Sequence, residues 1–264
     1  MENENNKPIK VNFDIPNLSL NISGIFTEIG SMITESLQVN FKSMFEALNG
    51  LTGILDDVYG KNMHVYKKMG KLGWDFSNNF PISYIHPVVK HIGENIDDEE
   101  EINDTFVNLY KDDYVDLLIE PIKITLDKLK DIKSRDKMLN LLNGSVEMYK
   151  TRNYDASVCL LTPLIEGIFS SKIDHPNKKG ILEELNGLKN KEDGGIIASK
   201  IIIVKEYIDG FLKYVEFDKD EPDNCINRHW VAHGRSYTTF KSIDCLRLLC
   251  MINAILDVIE FCYD

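Results

Sequence analysis

From residue 114 onward, apolar residues recur three and four positions apart in six successive segments: Tyr114–Leu129, Lys137–Tyr149, Tyr154–Ser171, Ile181–Leu188, Ile196–Phe217 and Tyr237–Tyr263. That spacing lines one face of a helix, and a face so marked must be buried against another element. No strand-rich block and no solenoid period interrupts the series. The C-terminal half is therefore expected to be an all-α helical bundle. Asp155 and the Thr238–Thr239 pair are N-cap candidates. Pro163 falls inside an apolar run, which predicts a kink, or a restart with Thr162 as the cap.

The N-terminal half is less uniform. Val11–Ile22 alternates apolar and polar residues and predicts a short extended segment broken at Pro16 and Asn17. Apolar residues from Ile25 to Val58 then recur at helical spacing, predicting one long amphipathic helix or two broken near Asn49–Gly53. Met69–Phe76 and Pro81–Pro87 gather glycines, a tryptophan and prolines, and are expected to be loop with an aromatic anchor. Glu94–Asp104 carries seven acids and no lysine or arginine, the pattern of a solvated connector. The expected division is a mostly helical N-terminal region, 1–104, joined by this connector near 94–104 to a helical domain, 105–264.

Charge narrows the function classes. The 264 residues carry 30 lysines and arginines against 42 acids, a net charge of −12. Such a chain does not attract nucleic acid or anionic lipid through its overall field, so either must meet a local basic patch. No apolar run reaches the roughly 18–20 residues that cross a bilayer. The longest, Ile196–Val204, is interrupted by Ser199 and Lys200. The opening MENENNKPIK has no apolar stretch of the kind that marks a secretory signal, so a cytoplasmic location and no membrane partner are expected. The five cysteines form no CxxC and are expected to be reduced, mostly core thiols.

Chemistry concentrates in Asn227-Arg228-His229-Trp230-Val231-Ala232-His233-Gly234-Arg235. On a regular helix His229 and His233 point about 40° apart, whereas Arg228 and His233 differ by about 140°. The last two converge only if the turn loosens near Gly234 or the arginine wraps round. Three readings compete. Paired histidines at i and i+4 fit a zinc site, although position 230 is Trp where the metalloprotease motif has Glu, and only Asp223 and Cys225 lie near as further ligands. A structural reading satisfies these side chains with carboxylates such as Glu166 or Asp244. Acid–base catalysis on a phosphodiester uses histidine to move a proton near neutral pH and arginine to hold a charged oxygen. RNA's own 2′-hydroxyl would then be the nucleophile; neither Ser236 nor Cys225 has the setting of one.

The string Arg228-His229-Trp230-Val231-Ala232-His233 resembles the Arg-polar-x-x-x-His signature of the HEPN superfamily. The longer NRHWVAHG looks like the NRHxxxHG variant of bacterial HEPN-like proteins, where it follows a helix similar to Tyr154–Phe169 with Leu161, Pro163, Glu166 and Gly167. The resemblance covers roughly residues 135–264. It implies a HEPN-like bundle that dimerises to form a composite active site, and a metal-independent endoribonuclease needing no cofactor, associated with stress, toxin or antiviral defence. By position, His233 would be the catalytic histidine, Arg228 the phosphate-contacting arginine and His229 the polar residue orienting them. Asn227 would position the chain or the substrate, Arg235 would bind substrate or support the site, and Glu166, judged from its apolar setting, would be a supporting carboxylate. An antitoxin or sensor partner is a further implication. Some family members are non-catalytic, so a dimerisation or partner-binding module is the alternative.

Two stretches, 178–205 (six lysines, four acids) and 228–247 (four cations, one acid), would flank an RNA groove if they lay side by side, or be ordinary solvated faces. Trp230 would stack on a base or pack in the core. Gly194-Gly195 lacks a phosphate-loop frame. His86 and His91 lack a ligand cluster.

Overall fold

The computed structural model describes residues 61–77, 80, 82–110, 115–128, 135–173, 177–189, 195–217, 226–236 and 239–263. Among them all regular structure is helical: α1 (Met63–Leu72), α2 (Ile82–Glu94), α3 (Glu99–Tyr110), α4 (Asp116–Lys128), α5 (Arg135–Lys150), α6 (Tyr154–Lys172), α7 (Lys178–Lys189), α8 (Gly195–Phe211), α9 (Arg228–Ala232) and α10 (Ser242–Tyr263). The extended segment expected at 11–22 and the long helix expected over 25–58 lie outside the described residues.

The apolar pattern explains the centre of the bundle. Helix α10 buries residues on every side, Leu246, Leu248, Leu249, Met251, Ile252 and Ile255 among them. A helix apolar all round belongs inside, and α10 packs against α4, α6 and α8. Helix α5 pairs with α6, and α1 lies along α8. That last contact is close because of one residue. A Cβ at Gly70 would sit 2.5 Å from the Ile203 carbonyl oxygen, nearer than real Cβ atoms come.

No break in the described structure marks the expected division at residue 104. The described residues on both sides of it belong to one compact unit, and the acidic stretch lies largely at the surface, with Ile102 its buried residue. Half of that stretch is helix, since α3 begins at Glu99 and buries Ile102 and Phe106 beneath its acids. Three glutamates in the first turn also suit the positive end of the helix dipole. The Trp74 indole stacks on the Phe106 ring at 4.9 Å and 5°, and its Nε1 donates to Asn103 Oδ1 at 2.9 Å. The aromatic anchor expected near Trp74 is therefore real, but its partner is the acidic segment.

The proline at 87 departs from expectation, and at 163 the restart does not occur. Pro87 lies inside α2, where the loop was expected, because Val88, Val89 and Ile92 bury one face and outweigh the lost amide. Pro163 lies inside an uninterrupted α6. Thr162 does not cap; its hydroxyl donates back to the Val158 carbonyl at 2.9 Å. The N-cap of α6 is Asn153, accepting from the Ala156 amide, while Asp155 accepts from the distant Phe240 amide at 2.9 Å. Helix α10 starts at Ser242, where Asp244 accepts from the Lys241 amide at 2.8 Å; the threonine pair lies upstream of it.

A buried charge cluster joins α1's exit to the core. Gly73 takes the left-handed conformation (φ +80°), closes α1 and sends the chain inward. Lys200, only 4% exposed, then reaches Asp75 Oδ2 at 2.6 Å, Asp257 Oδ2 at 2.8 Å and the Phe76 carbonyl at 2.9 Å. Burial raises the Asp257 pKa to about 6 despite the ammonium beside it, and raises Asp75 for the same reason. Lys200 is held above its ordinary value, because the two carboxylates overcome its own burial.

Candidate functional site

Helix α8 ends at Phe211, six residues before the expected end, because a side chain captures its last carbonyls. Asn227 is buried, and its Nδ2 donates to the Gly210 and Lys213 carbonyls at 3.3 and 2.8 Å. Its Oδ1 accepts from the His229 and Trp230 amides at 3.1 and 3.3 Å, which caps α9. Asn227 thus positions the chain; its burial keeps it from substrate. Trp230 is fully buried (0% exposed), so the core reading holds and base stacking does not.

The helix is a single turn. It stops at Ala232, His233 sits at its C-cap, and Gly234 is left-handed at φ +60°. The Arg235 amide returns to the Trp230 carbonyl at 2.9 Å, closing the turn. The turn thus loosens at Gly234, one of the two routes to convergence of Arg228 and His233 that the helical wheel leaves open. His229 and His233 do share a side: their rings meet at 4.7 Å and 67°. His233 is exposed and His229 half-buried.

Arg228 pairs with Glu166 of α6. Its Nε and Nη2 donate to the two carboxylate oxygens, the second at 3.2 Å. Both side chains stay partly accessible, 38% and 33%. A side-on pair of this kind uses two of the five guanidinium N–H groups and leaves the far edge for another anion. Glu166 is thus the carboxylate partner of Arg228, the pairing that the structural reading named. Asp244, the other carboxylate considered, caps α10 and lies 3.8 Å from Arg247 instead.

Aromatic residues enclose His229. The Phe217 ring lies parallel to the imidazole at 4.5 Å and 9°, and the Tyr214 ring is tilted against it at 4.9 Å. Phe217 also meets the His233 ring edge-on at 5.5 Å, and the Arg235 guanidinium lies 4.8 Å from the Phe217 centroid. Partial burial first, then the positive charges of His233 and Arg228, lower the His229 pKa below its ordinary value. Tyr214 and Phe217 escaped the sequence reading, which placed both on helix α8. Two aromatics just upstream of a histidine pair were the signal.

Other expectations fare differently. In the basic stretch 178–205, Lys200 is interior, Lys178 pairs with Asp209 at 2.8 Å and the exposed Lys179 lies 3.7 Å from Glu183. In 228–247, Arg247 is mostly covered, over the Trp74 ring and bonded to Asn103. His91 pairs with Glu101 at 2.8 Å. Cys245 and Cys250 are buried and Cys159 is exposed; burial pushes the Cys245 thiol up to about 12. Among the described residues no group of three or more histidine, cysteine or carboxylate side chains is placed to hold a metal ion, and Asp223 and Cys225 lie outside them. No described helix is long and apolar enough to cross a membrane.

Comparison with family models, curated proteins and solved structures finds no match for this chain.

Proposed function

We propose that this protein is a metal-independent endoribonuclease whose site is Arg228, His229 and His233. The observation that carries the reading is the contact between two imidazoles at an accessible helix end, beside an arginine whose free edge can take a phosphate. His229, whose pKa is lowered, accepts the 2′-hydroxyl proton. The 2′-oxygen attacks phosphorus, the bond to the 5′-oxygen breaks, and His233 returns a proton to that leaving oxygen. The products are a 2′,3′-cyclic phosphate and a 5′-hydroxyl. Arg228 stabilises the negative charge that gathers on the phosphoryl oxygens, help typically worth about 10²–10³ in rate. The HEPN resemblance adds a homodimer with a composite site, and a setting in stress or phage defence.

One observation favours the alternative, a non-catalytic dimerisation or partner-binding module: Arg228 already has a two-point carboxylate partner. The two readings separate in one experiment. Purified wild type, His233→Ala and Arg228→Ala are incubated with cellular RNA in EDTA, with thermal melts to confirm folding. The ribonuclease reading expects cyclic phosphate ends from the wild type alone. Equal cleavage by all three removes the assignment of these residues. Intact RNA with the folded wild type favours the module.

A further inference from the structure

Resting on the ribonuclease reading, we propose that Tyr214 is a stacking platform for an unpaired nucleobase next to the scissile phosphate, which makes the substrate single-stranded RNA. Tyr214 is the most exposed large apolar side chain described, at 72%. It is also held. Its neighbour Lys213 gives its carbonyl to the Asn227 side chain at 2.8 Å, and its ring rests against His229 at 4.9 Å. A fixed ring that presents its surface to solvent loses little freedom when a base covers it.

The neighbours identify the occupant. Tyr214, His229 and Phe217 form a continuous series of rings, with the Arg235 guanidinium against the last of them. Rings beside guanidinium groups suit a ligand that alternates π-faces with phosphates. A base on Tyr214 lies one ring away from the imidazole that handles the reacting ribose. A duplex cannot use this platform, because its base faces are already stacked inside the helix.

The charge balance points the same way. The chain carries a net −12, and Glu166 occupies part of Arg228. Long-range attraction for a polyanion is weak, so stacking must supply much of the affinity. Base–aromatic stacking changes affinity by about 5- to 150-fold per base.

The test is fluorescence anisotropy with the full chain and a labelled 2′-O-methyl oligoadenylate, which lacks the attacking hydroxyl and stays intact. Tyr214→Ala is expected to weaken binding by about 5- to 150-fold, Tyr214→Phe to stay within about twofold, and the matching A-form duplex to bind more weakly than the single strand. Equal affinity for wild type and Tyr214→Ala overturns the platform, as does equal affinity for duplex and single strand. Failure of the wild type to bind overturns it too. Cleavage of ordinary RNA by the wild type but not by His233→Ala would, in each of those cases, leave the ribonuclease reading standing.

Discussion

Replacing Lys200 with methionine removes one ammonium from the core at almost constant volume. Asp75 and Asp257 are then left interior, where they had faced that ammonium at 2.6 and 2.8 Å. Breaking a buried ion pair by removing one partner typically costs about 3–5 kcal/mol. For a unit of this size each kcal/mol moves the melting temperature by about 2–4 °C, so Lys200→Met is expected to melt roughly 6–20 °C lower at pH 7. The pH dependence has a definite sign. The folded state binds a proton at Asp257 with a pKa of about 6, above the ordinary 3.8. Between those values the folded protein holds the proton that the unfolded chain releases, so this group's contribution to stability falls as pH rises from about 4 to 6. Without the ammonium both carboxyls bind protons more tightly still. The penalty of Lys200→Met should therefore shrink on acidification from pH 7 to pH 5. Adding Asp75→Asn and Asp257→Asn should recover most of the loss. Calorimetry at the two pH values checks this. A Lys200→Met protein within about 1 kcal/mol of wild type at pH 7, or a penalty that does not change with pH, would refute the reasoning.

Two glycines should respond in opposite directions to alanine. Gly70→Ala forces a methyl to 2.5 Å from the Ile203 carbonyl and is expected to cost about 1–3 kcal/mol, whereas Gly187→Ala meets nothing within 4 Å and should gain about 0.5–1 kcal/mol from helix propensity; urea melts compare them. His233→Gln removes one of the positive charges that lower His229, so the His229 pKa should rise, as read from its ring proton shifts across pH 5–8. Asn227→Ala strips the cap of α9 and leaves the Gly210 and Lys213 carbonyls without that donor, for an expected loss of about 1–3 kcal/mol in a thermal melt.

The later helices were legible because their apolar residues keep helical spacing through long segments, and α5, α6 and α7 begin and end within three residues of expectation. What misled were residues whose local preference lost to burial. Pro87 and Pro163 sit within helices whose apolar faces were already committed, and the acids of α3 hide the fact that Ile102 and Phe106 alternate beneath them. At the site, the helical wheel correctly brought His229 and His233 together. It also named the loosening at Gly234 as one of two routes by which Arg228 and His233 converge. The partners of Asn227 and Asp155 lie in other elements, so no local pattern could reveal them. Lys200 left a trace, a lone charge inside the most apolar run of the chain, which is where a buried ammonium must find carboxylates.

The four hydrogen bonds of Asn227 have a consequence for how the molecule tolerates change. The Gly210 carbonyl in the last turn of α8, the Lys213 carbonyl just past it and two amides at the start of α9 are fastened to one side chain, a sewn seam between the two helix ends. The backbone of the histidine pair takes its position from that seam, and Tyr214 and Phe217, whose rings meet His229, follow it directly. A change at the single knot would therefore unfasten the two imidazoles and their aromatic neighbours together.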